Sequence, residues 1–283
     1  MNKLSPPRHV LVTGSSTGIG RTCAVHLAQS GFLVIAGVRR PSDGQQLESA
    51  APNLRSMQLD IADGTSVAAA AAQIAEITGE TGLAGLVNNA GIGVHGPVEF
   101  VSIDDWRRQF EVNLFGHIAV TQNLLPMLRH GAGRIVFIGS IAGRVTTPIL
   151  GPYSASKHAI AAVAAALRME LRDQGIHVCL IEPGAIQSEI WRKGDEFAAT
   201  ISSDSPARQL YGRQIDAITR ISRDSAANAI PADRVARLVH QCLTSSHPPV
   251  RKTVGRDAMF AAILKRILPE RLFDGLLRRI LGI

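Results

Sequence analysis

Cysteine is scarce in this sequence, and its three positions form no recognisable pattern. Cys23, Cys179 and Cys242 are far apart and show neither a CxxC spacing nor the Cys/His spacing of a zinc site. The histidines form no HExxH or comparable ligand set. The sequence therefore predicts free thiols in a reducing compartment, no disulfide framework and no required metal.

Long apolar runs are also absent. No segment reaches the ~18–20 consecutive apolar residues that span a bilayer. The apolar run that follows the polar, proline-bearing start of the chain stops at Gly14, too early for the core of a signal peptide. We therefore expect a cytoplasmic protein, with a peripheral membrane contact left open.

The net charge of +7 comes from basic residues that are spread along the chain and gather only near its end. No nucleic-acid-binding motif accompanies them, so we expect a solvated basic surface or a pocket for a phosphorylated ligand, and no nucleic-acid partner. With 283 residues and 46% hydrophobic content, the chain can bury one core.

Apolar runs without alternation recur along the chain, as in strands that are covered on both faces. They are His9–Thr13, Phe32–Val38, Leu54–Asp60, Leu83–Asn88, Arg134–Ser140 and His177–Glu182. Helix-like stretches separate them, and this alternation predicts an α/β fold: a single-domain, doubly wound, mainly parallel sheet with helices on both faces.

A glycine-rich turn lies between the first predicted strand and the first predicted helix. Its glycines let the backbone approach a pyrophosphate closely, and the helix N-terminus offers free N–H groups to it. The spacing is Gly-x-x-x-Gly-x-Gly, and the Gly-Lys-Ser/Thr ending of a P-loop is missing. The candidate cofactor-binding residues of this turn are Gly14, Ser16, Thr17, Gly18, Ile19 and Gly20.

Two further motifs follow in order: Asn88–Gly91, which reads NNAG, and Tyr153–Lys157, which reads YSASK. Together with the turn, they resemble the short-chain dehydrogenase/reductase family over roughly residues 8–190. The resemblance implies a Rossmann fold and hydride transfer between a nicotinamide cofactor and a carbonyl or alcohol carbon. It adds these cofactor contacts: Asp60, Ile61, Asn89, Ala90, Gly91, Pro183, Gly184, Ile186 and Ser188. Ser188 stands where threonine is commoner in the family.

The residues after the second strand indicate which dinucleotide is preferred. An acidic side chain there would bind the adenosine ribose hydroxyls of NAD, but Val38 occupies that position and Arg39 follows it. Because a guanidinium suits a 2′-phosphate, the sequence favours NADP(H).

Tyr153 and Lys157 are four positions apart and share a helix face. Tyr153 can exchange the proton that accompanies hydride transfer, and the Lys157 ammonium is expected to lower its pKa. The resemblance implies that Lys157 also holds the nicotinamide ribose. It further implies that Ser140 hydrogen-bonds the substrate oxygen and that Asn113 orders a water linked to Lys157.

We divide the chain into a catalytic domain, residues 1–256, and a C-terminal tail, residues 257–283. Within the domain, residues 192–230 are polar with weak periodicity and are predicted to be a mobile substrate lid. The tail predicts two amphipathic helices, which pack on the domain or a sister subunit, or alternatively bind a membrane surface.

The extra length is similar to that of family members acting on retinoids and hydroxysteroids, which favours a lipophilic substrate. The alternatives are a reductase of acyl-thioester ketones and a dinucleotide sensor without catalysis. A sensor would have lost Tyr153, Lys157 or Ser140, and all three are present. The family resemblance also implies a homodimer or homotetramer.

Overall fold

The computed structural model describes residues 8–186, 202, 204–227 and 229–283. Seven parallel strands form one sheet in the order β3-β2-β1-β4-β5-β6-β7. The strands are β1 His9–Val12, β2 Leu33–Val38, β3 Leu54–Gln58, β4 Leu83–Asn88, β5 Arg134–Ile138, β6 His177–Pro183 and β7 Arg251–Val254. The predicted doubly wound parallel sheet is confirmed.

Helices cover both faces of this sheet. They are α1 Gly18–Gln29, α2 Pro41–Glu48, α3 Gly64–Thr78, α4 Ile103–Phe110, α5 Gly116–His130, α6 Gly151–Glu170, α7 Pro206–Ala227, α8 Asp233–Thr244, α9 Arg256–Ile267 and α10 Glu270–Leu281. Apolar side chains of α1, α2 and α8 fill one face, and those of α3, α5 and α6 fill the other. Burial on both faces explains why the strands are apolar without alternation.

The strand order reverses between the neighbouring strands β1 and β4: from β1 the chain continues to β2 on one side, and from β4 it continues to β5 on the other. In sheets of this kind a crevice opens at that point, beyond the carboxyl ends of the strands. Here Thr13 donates its backbone N–H to the Val87 carbonyl (3.0 Å), which joins the two strand ends at the crevice.

The seventh strand was not predicted from the sequence. β7 is a short edge strand that pairs with β6, and Arg251 and Lys252 are exposed. A polar strand of four residues has no apolar run by which it could be recognised. It is held partly by Glu182 of β6, a buried carboxylate that accepts from Arg251 Nε (2.9 Å).

Residues 206–227 form the helix α7, whereas the weak periodicity of residues 192–230 favoured a loop there; that the segment is a mobile substrate lid stays a prediction. Residues 192–201 lie outside the described residues. Ser205 starts α7, since its hydroxyl accepts from the Arg208 N–H (3.2 Å). Ile215 and Ile218 are buried three positions apart and pack against Ile149. Because most other residues of α7 are polar, this short apolar stripe gives the sequence only a weak helical periodicity.

The tail consists of α9 and α10, as the periodicity predicts. α10 packs on α7: Leu281 is buried with Ile215 and Ile218, and Arg220 Nη2 donates to the Leu281 carbonyl (2.8 Å). None of the described helices has both the length and the hydropathy needed to cross a bilayer.

Candidate active site

The glycine turn is shaped by backbone that only glycine adopts easily. Gly14 and Gly18 have positive φ angles of +65° and +54°. A Cβ atom at Gly14 would lie 2.7 Å from Ala90 Cα, and one at Gly20 would lie 2.2 Å from the Gly14 carbonyl oxygen. The turn is therefore packed tightly against the segment that follows β4, and side chains at these positions would separate the two.

The Asn89 side chain stabilises the contact between the glycine turn and the segment after β4. Its Nδ2 donates to the carbonyls of Thr13 (2.9 Å) and Gly14 (3.1 Å). The Thr13 hydroxyl accepts from the backbone N–H groups of Asn89 (3.0 Å) and Ala90 (3.1 Å). The predicted residues of the two motifs thus form one continuous wall of the crevice, with Gly91 exposed at its rim.

The N-terminus of α1 opens onto this wall and is free to receive an anion. Thr17 is its N-cap and makes no side-chain cap hydrogen bond, and the first turn contains no acidic residue. Its N–H groups and the helix dipole therefore favour a negative group. Ser16, Gly18 and Ile19 are half-buried beside it, so the residues present fit a dinucleotide pyrophosphate.

The two arginines after β2 have different environments. Arg40 is paired with Asp43, with its Nε 3.2 Å from Oδ2. Arg39 is exposed, and among the described residues no hydrogen bond or ion pair involves its side chain. Val38 is buried. Of the pair, Arg39 is the cation available to a ligand.

Asp60 lies after β3, and its side chain closes a turn. Its Oδ1 accepts from the Ala62 N–H (3.0 Å), and its own N–H donates to the Ser66 hydroxyl (2.9 Å). Ile61 is buried, and its carbonyl would lie 2.5 Å from a Cβ atom at Gly116. These contacts give both residues a structural role at the rim of the crevice.

Ser140 and Tyr153 meet at the carboxyl end of β5. Ser140 lies two residues beyond this strand, caps the short helical turn Ile141–Gly143 and accepts from the Ala142 N–H (3.1 Å). Tyr153 lies in the first turn of α6, with its hydroxyl close to Ser140. Burial raises the pKa of Tyr153 above its ordinary value, and the interaction with the Ser140 hydroxyl opposes this rise.

Lys157 lies one turn further along α6 and is buried. Its Nζ donates to the Ile138 carbonyl (2.9 Å) and is 5.8 Å from the Tyr153 ring centroid. Burial lowers the pKa of Lys157 to about 8. The predicted lowering of the Tyr153 pKa by Lys157 is not found, because desolvation of the phenol dominates and the opposing contact is with Ser140.

Asn113 lies in a π-helical turn, Glu111–Phe115, between α4 and α5. Its Oδ1 accepts from the Ile92 N–H (2.9 Å), and its Nδ2 donates to the Ile92 carbonyl (3.0 Å) and to Ser156 Oγ (3.2 Å). Local insertions of this kind in helices occur frequently at functional sites. These three hydrogen bonds hold the segment after Gly91 against α6.

Gln109 and Ser156 complete this network and were missed in the sequence. Gln109 Oε1 accepts from the Val94 N–H (2.7 Å), and Ser156 donates to the Tyr153 carbonyl (2.7 Å). Gln109 and Asn113 are four positions apart, so two amides on one helix face were the available signal. The sequence does not show which groups these amides bind, because their backbone partners in residues 92–94 reach them only in the folded chain.

His117 is a second buried polar residue that sequence reasoning missed. Its Nδ1 is 3.3 Å from Asn88 Oδ1, and Asn88 Nδ2 donates to Thr121 Oγ1 (2.9 Å). Burial and the nearby Lys157 lower the pKa of His117 to about 3. The ring is therefore neutral at pH 7 and adds no second positive charge beside Lys157.

The turn after β6 brings Pro183 and Gly184 to the same edge of the sheet. The Gly184 N–H donates to the Val254 carbonyl (2.8 Å), and a Cβ atom at Gly184 would lie 2.7 Å from Ala258 Cβ. Ile186 is buried and bridges to Ile230. Ser188 lies outside the described residues.

Comparison with known proteins decides the family. The short chain dehydrogenase profile matches residues 8–198. The chain belongs to the short-chain dehydrogenase family. This confirms the resemblance inferred from the sequence and identifies the protein as an NAD(P)-dependent oxidoreductase.

Relatives of this short-chain dehydrogenase cover nearly its whole length. It is 33% identical over 273 residues to the NADPH-dependent 3-dehydrocapnine reductase of Ornithobacterium rhinotracheale, covering 94% of this chain and 95% of that protein. It is 35% identical over 283 residues to retinol dehydrogenase 5 of Mus musculus, covering 96% and 88%. A solved short-chain dehydrogenase from Streptomyces avermitilis is 27% identical with a TM-score of 0.78, covering 93% and 92%.

Proposed function

We propose that this short-chain dehydrogenase uses NADP(H) to interconvert a ketone or aldehyde and an alcohol on a lipophilic substrate. The observation that carries the proposal is the closeness of the Ser140 and Tyr153 hydroxyls at the open edge of the sheet, where Ser140 lowers the pKa of Tyr153, with the buried Lys157 beside them. Two hydroxyls and one ammonium are the groups that proton exchange at an oxygen requires.

The choice of NADP(H) rests on Arg39. A bound nicotinamide dinucleotide supplies or takes up the hydride. Arg39 is exposed and has no partner among the described residues where a 2′-phosphate would need a cation, and no carboxylate occupies the position of Val38. The relative from Ornithobacterium rhinotracheale, described as NADPH-dependent, supports the same preference.

The protein groups divide the proton chemistry between them. Ser140 donates a hydrogen bond to the substrate oxygen and so stabilises the charge that develops there. Tyr153 delivers the proton during reduction and removes it during oxidation. Because burial raises the pKa of Tyr153, the phenol is protonated at neutral pH, which suits the direction of reduction.

Lys157 and Asn113 support this exchange. Lys157 Nζ is fixed by the Ile138 carbonyl, so its remaining donors are available to a ribose hydroxyl or a water. The Asn113 side chain is occupied by Ile92 and Ser156. A water that Asn113 orders would bind either its backbone carbonyl, within the π-helical turn, or the second lone pair of its Oδ1.

Apolar residues beside Tyr153 support a lipophilic substrate. Val98 is 63% exposed and lies against the start of α6, since a Cβ atom at Gly151 would be 2.7 Å from Val98 Cγ2. Ile149 is buried against α7 on the other side of the same turn. The similarity to retinol dehydrogenase 5 favours the same substrate class.

Comparing turnover by two matched variants tests the proposal. The chain has only two tyrosines. We expect Tyr153→Phe to lower kcat for long-chain ketones about 10²–10⁴-fold while NADPH binding is kept. The control Tyr211→Phe, whose hydroxyl donates to Glu99 Oε2 (2.7 Å), should stay near wild type.

The measurement is NADPH consumption over a panel of long-chain ketones, aldehydes and acyl-thioester ketones, with NADPH binding followed by fluorescence. Equal, negligible turnover by the wild type and Tyr153→Phe would contradict the proposal. Preferred turnover of acyl-thioester ketones would replace the proposed substrate class.

We also propose that the enzyme assembles as a homodimer or homotetramer through α5 and α6. Phe115 and Met169, at the ends of this helix pair, are exposed by 52% and 65% and would be covered in such an assembly. Light scattering on the purified protein tests this, and a monomer at working concentrations would contradict it.

A further inference from the structure

α9 presents its large apolar side chains outward. Ala258 and Ala262 face the domain and are buried, whereas four large apolar residues are exposed: Met259 by 44%, Phe260 by 63%, Ile263 by 57% and Ile267 by 65%. At 100° per residue, these four lie within about one third of the helix circumference. Because a surface helix normally turns its large apolar residues inward, this face is built to be covered.

Positive charge borders the exposed face. A groove between β7 and α9 is lined by Met259 and Ile263 together with three cations, Arg144, Lys252 and Arg266. Arg144 shares the buried Glu182 with Arg251, with Arg144 Nε 2.7 Å from Oε2. Within the described chain, no ion pair with an acidic residue involves Lys252 or Arg266. Apolar side chains and unneutralised cations therefore share one surface, which we call the α9 surface: Lys252, Met259, Phe260, Ile263, Arg266 and Ile267.

We propose that the α9 surface docks on an anionic lipid bilayer. The apolar residues would enter the boundary between headgroups and acyl chains, and Lys252 and Arg266 would meet lipid phosphates. A second copy of the chain fits less well. A two-fold interface places each patch against itself and would bring Lys252 and Arg266 of both copies together without an anion.

The position of the α9 surface suits an enzyme with a lipophilic substrate. Ala258, on the inner side of α9, is packed against Gly184, in the turn after β6 at the edge of the sheet that holds Tyr153. Docking would therefore bring that edge close to a membrane in which such a substrate dissolves. Lipid binding itself does not depend on turnover, so its test is independent of the proposed function.

Sedimentation of the full chain with vesicles tests the proposal. We expect binding to equimolar phosphatidylcholine and phosphatidylglycerol vesicles to exceed binding to pure phosphatidylcholine by about tenfold. Phe260→Ser with Ile263→Ser should weaken binding about tenfold or more, and Lys252→Gln with Arg266→Gln should remove the preference for anionic vesicles.

Matched controls lie elsewhere on the surface. Ile77→Ser with Ile103→Ser removes exposed apolar residues from α3 and α4, and Arg129→Gln with Arg172→Gln removes two exposed cations; both should bind as the wild type does. Circular dichroism and thermal unfolding establish that each variant is folded. Equal sedimentation with both vesicle types overturns the proposal. So does loss of a dimer in light scattering, without change in vesicle binding, when Phe260 and Ile263 are replaced.

Discussion

At the scale of single residues, Arg39 and Arg40 are adjacent but differ in their pairing. The Arg40 guanidinium is already bound by Asp43, whereas that of Arg39 has no partner in the part of the chain that the structure describes. Hydrogen bonds to charged groups contribute about 1.5–3 kcal/mol each. We therefore expect Arg39→Ser to raise KM for NADPH about tenfold or more and to leave KM for NADH nearly unchanged.

The control for this prediction is the neighbouring arginine. Arg40→Ser removes the same charge from the adjacent residue. It should change KM for NADPH only about twofold, because solvent and salt screen the attraction between an exposed charge and a phosphate that it does not contact. Steady-state kinetics with both cofactors measures the difference. An equal effect of the two substitutions would indicate general attraction by positive charge instead of a specific phosphate contact.

The residues of the sequence motifs were easier to predict than the residues that hold them in place. Ser140, Tyr153 and Lys157 follow from chemistry and motif, and the structure brings them together. Gln109 and Ser156 could not be assigned, because their partners belong to segments far away in sequence. The direction of the Tyr153 pKa shift could not be predicted from the sequence either. It depends on how deeply the phenol is buried, and burial decides whether desolvation outweighs the effect of Lys157.

At the scale of elements, α10 holds α7 against Ile149, in the segment that precedes α6. Leu281 of α10 is 2% exposed and packs with Ile215, Ile218 and Ile149. Ile149 has a φ of +69°, which is strained for a β-branched residue and costs about 1–3 kcal/mol, so these contacts must stabilise it. It lies four residues before Tyr153.

This packing predicts a mutational effect at a distance from the reacting groups. We expect Leu281→Ala, which leaves a cavity under α7, to speed hydrogen exchange in α7 and to raise KM for lipophilic ketones several-fold. NADPH affinity should be unchanged, because the cofactor wall is at the β1 and β4 ends. Ile280→Ala, at a residue that is 62% exposed, is the control. Unchanged exchange in α7 would show that α10 does not hold it.

The order of strands and helices was predicted where each element carries its own apolar pattern. β7 and α7 have no clear apolar pattern of their own, for different reasons. β7 is four polar-rich residues whose pairing with β6 is set by backbone and by Glu182. α7 buries only a few residues, and the surface that covers them comes from the tail. Elements stabilised mainly by partners remote in sequence leave a weak local pattern.

At the scale of the whole molecule, the open edge of the sheet places polar groups inside the largest hydrophobic clusters. His117 is 1% exposed and contacts Asn88, and its ring lies edge-on to the core residue Phe137, with centroids 6.4 Å apart. Lys157 is 5% exposed in the same region. Protonating His117 would put a second cation into this interior, so the fold as a whole resists it.

Acid stability should therefore depend on His117. The pKa of its ring is about 3 in the folded chain against 6.5 ordinarily, so the unfolded chain binds one more proton between these values. Because of this residue, the free energy of unfolding should fall by about 1.4 kcal/mol per pH unit as pH drops from about 6.5 toward 3, with no effect above that range.

Urea unfolding of the wild type and His117→Gln at several pH values isolates the contribution of His117 to the free energy of unfolding. The stability advantage of the wild type over His117→Gln should shrink with that slope, whereas it should stay constant against His130→Gln, a change at an exposed position. Parallel pH profiles for all three proteins would mean that the buried ring takes up a proton without cost.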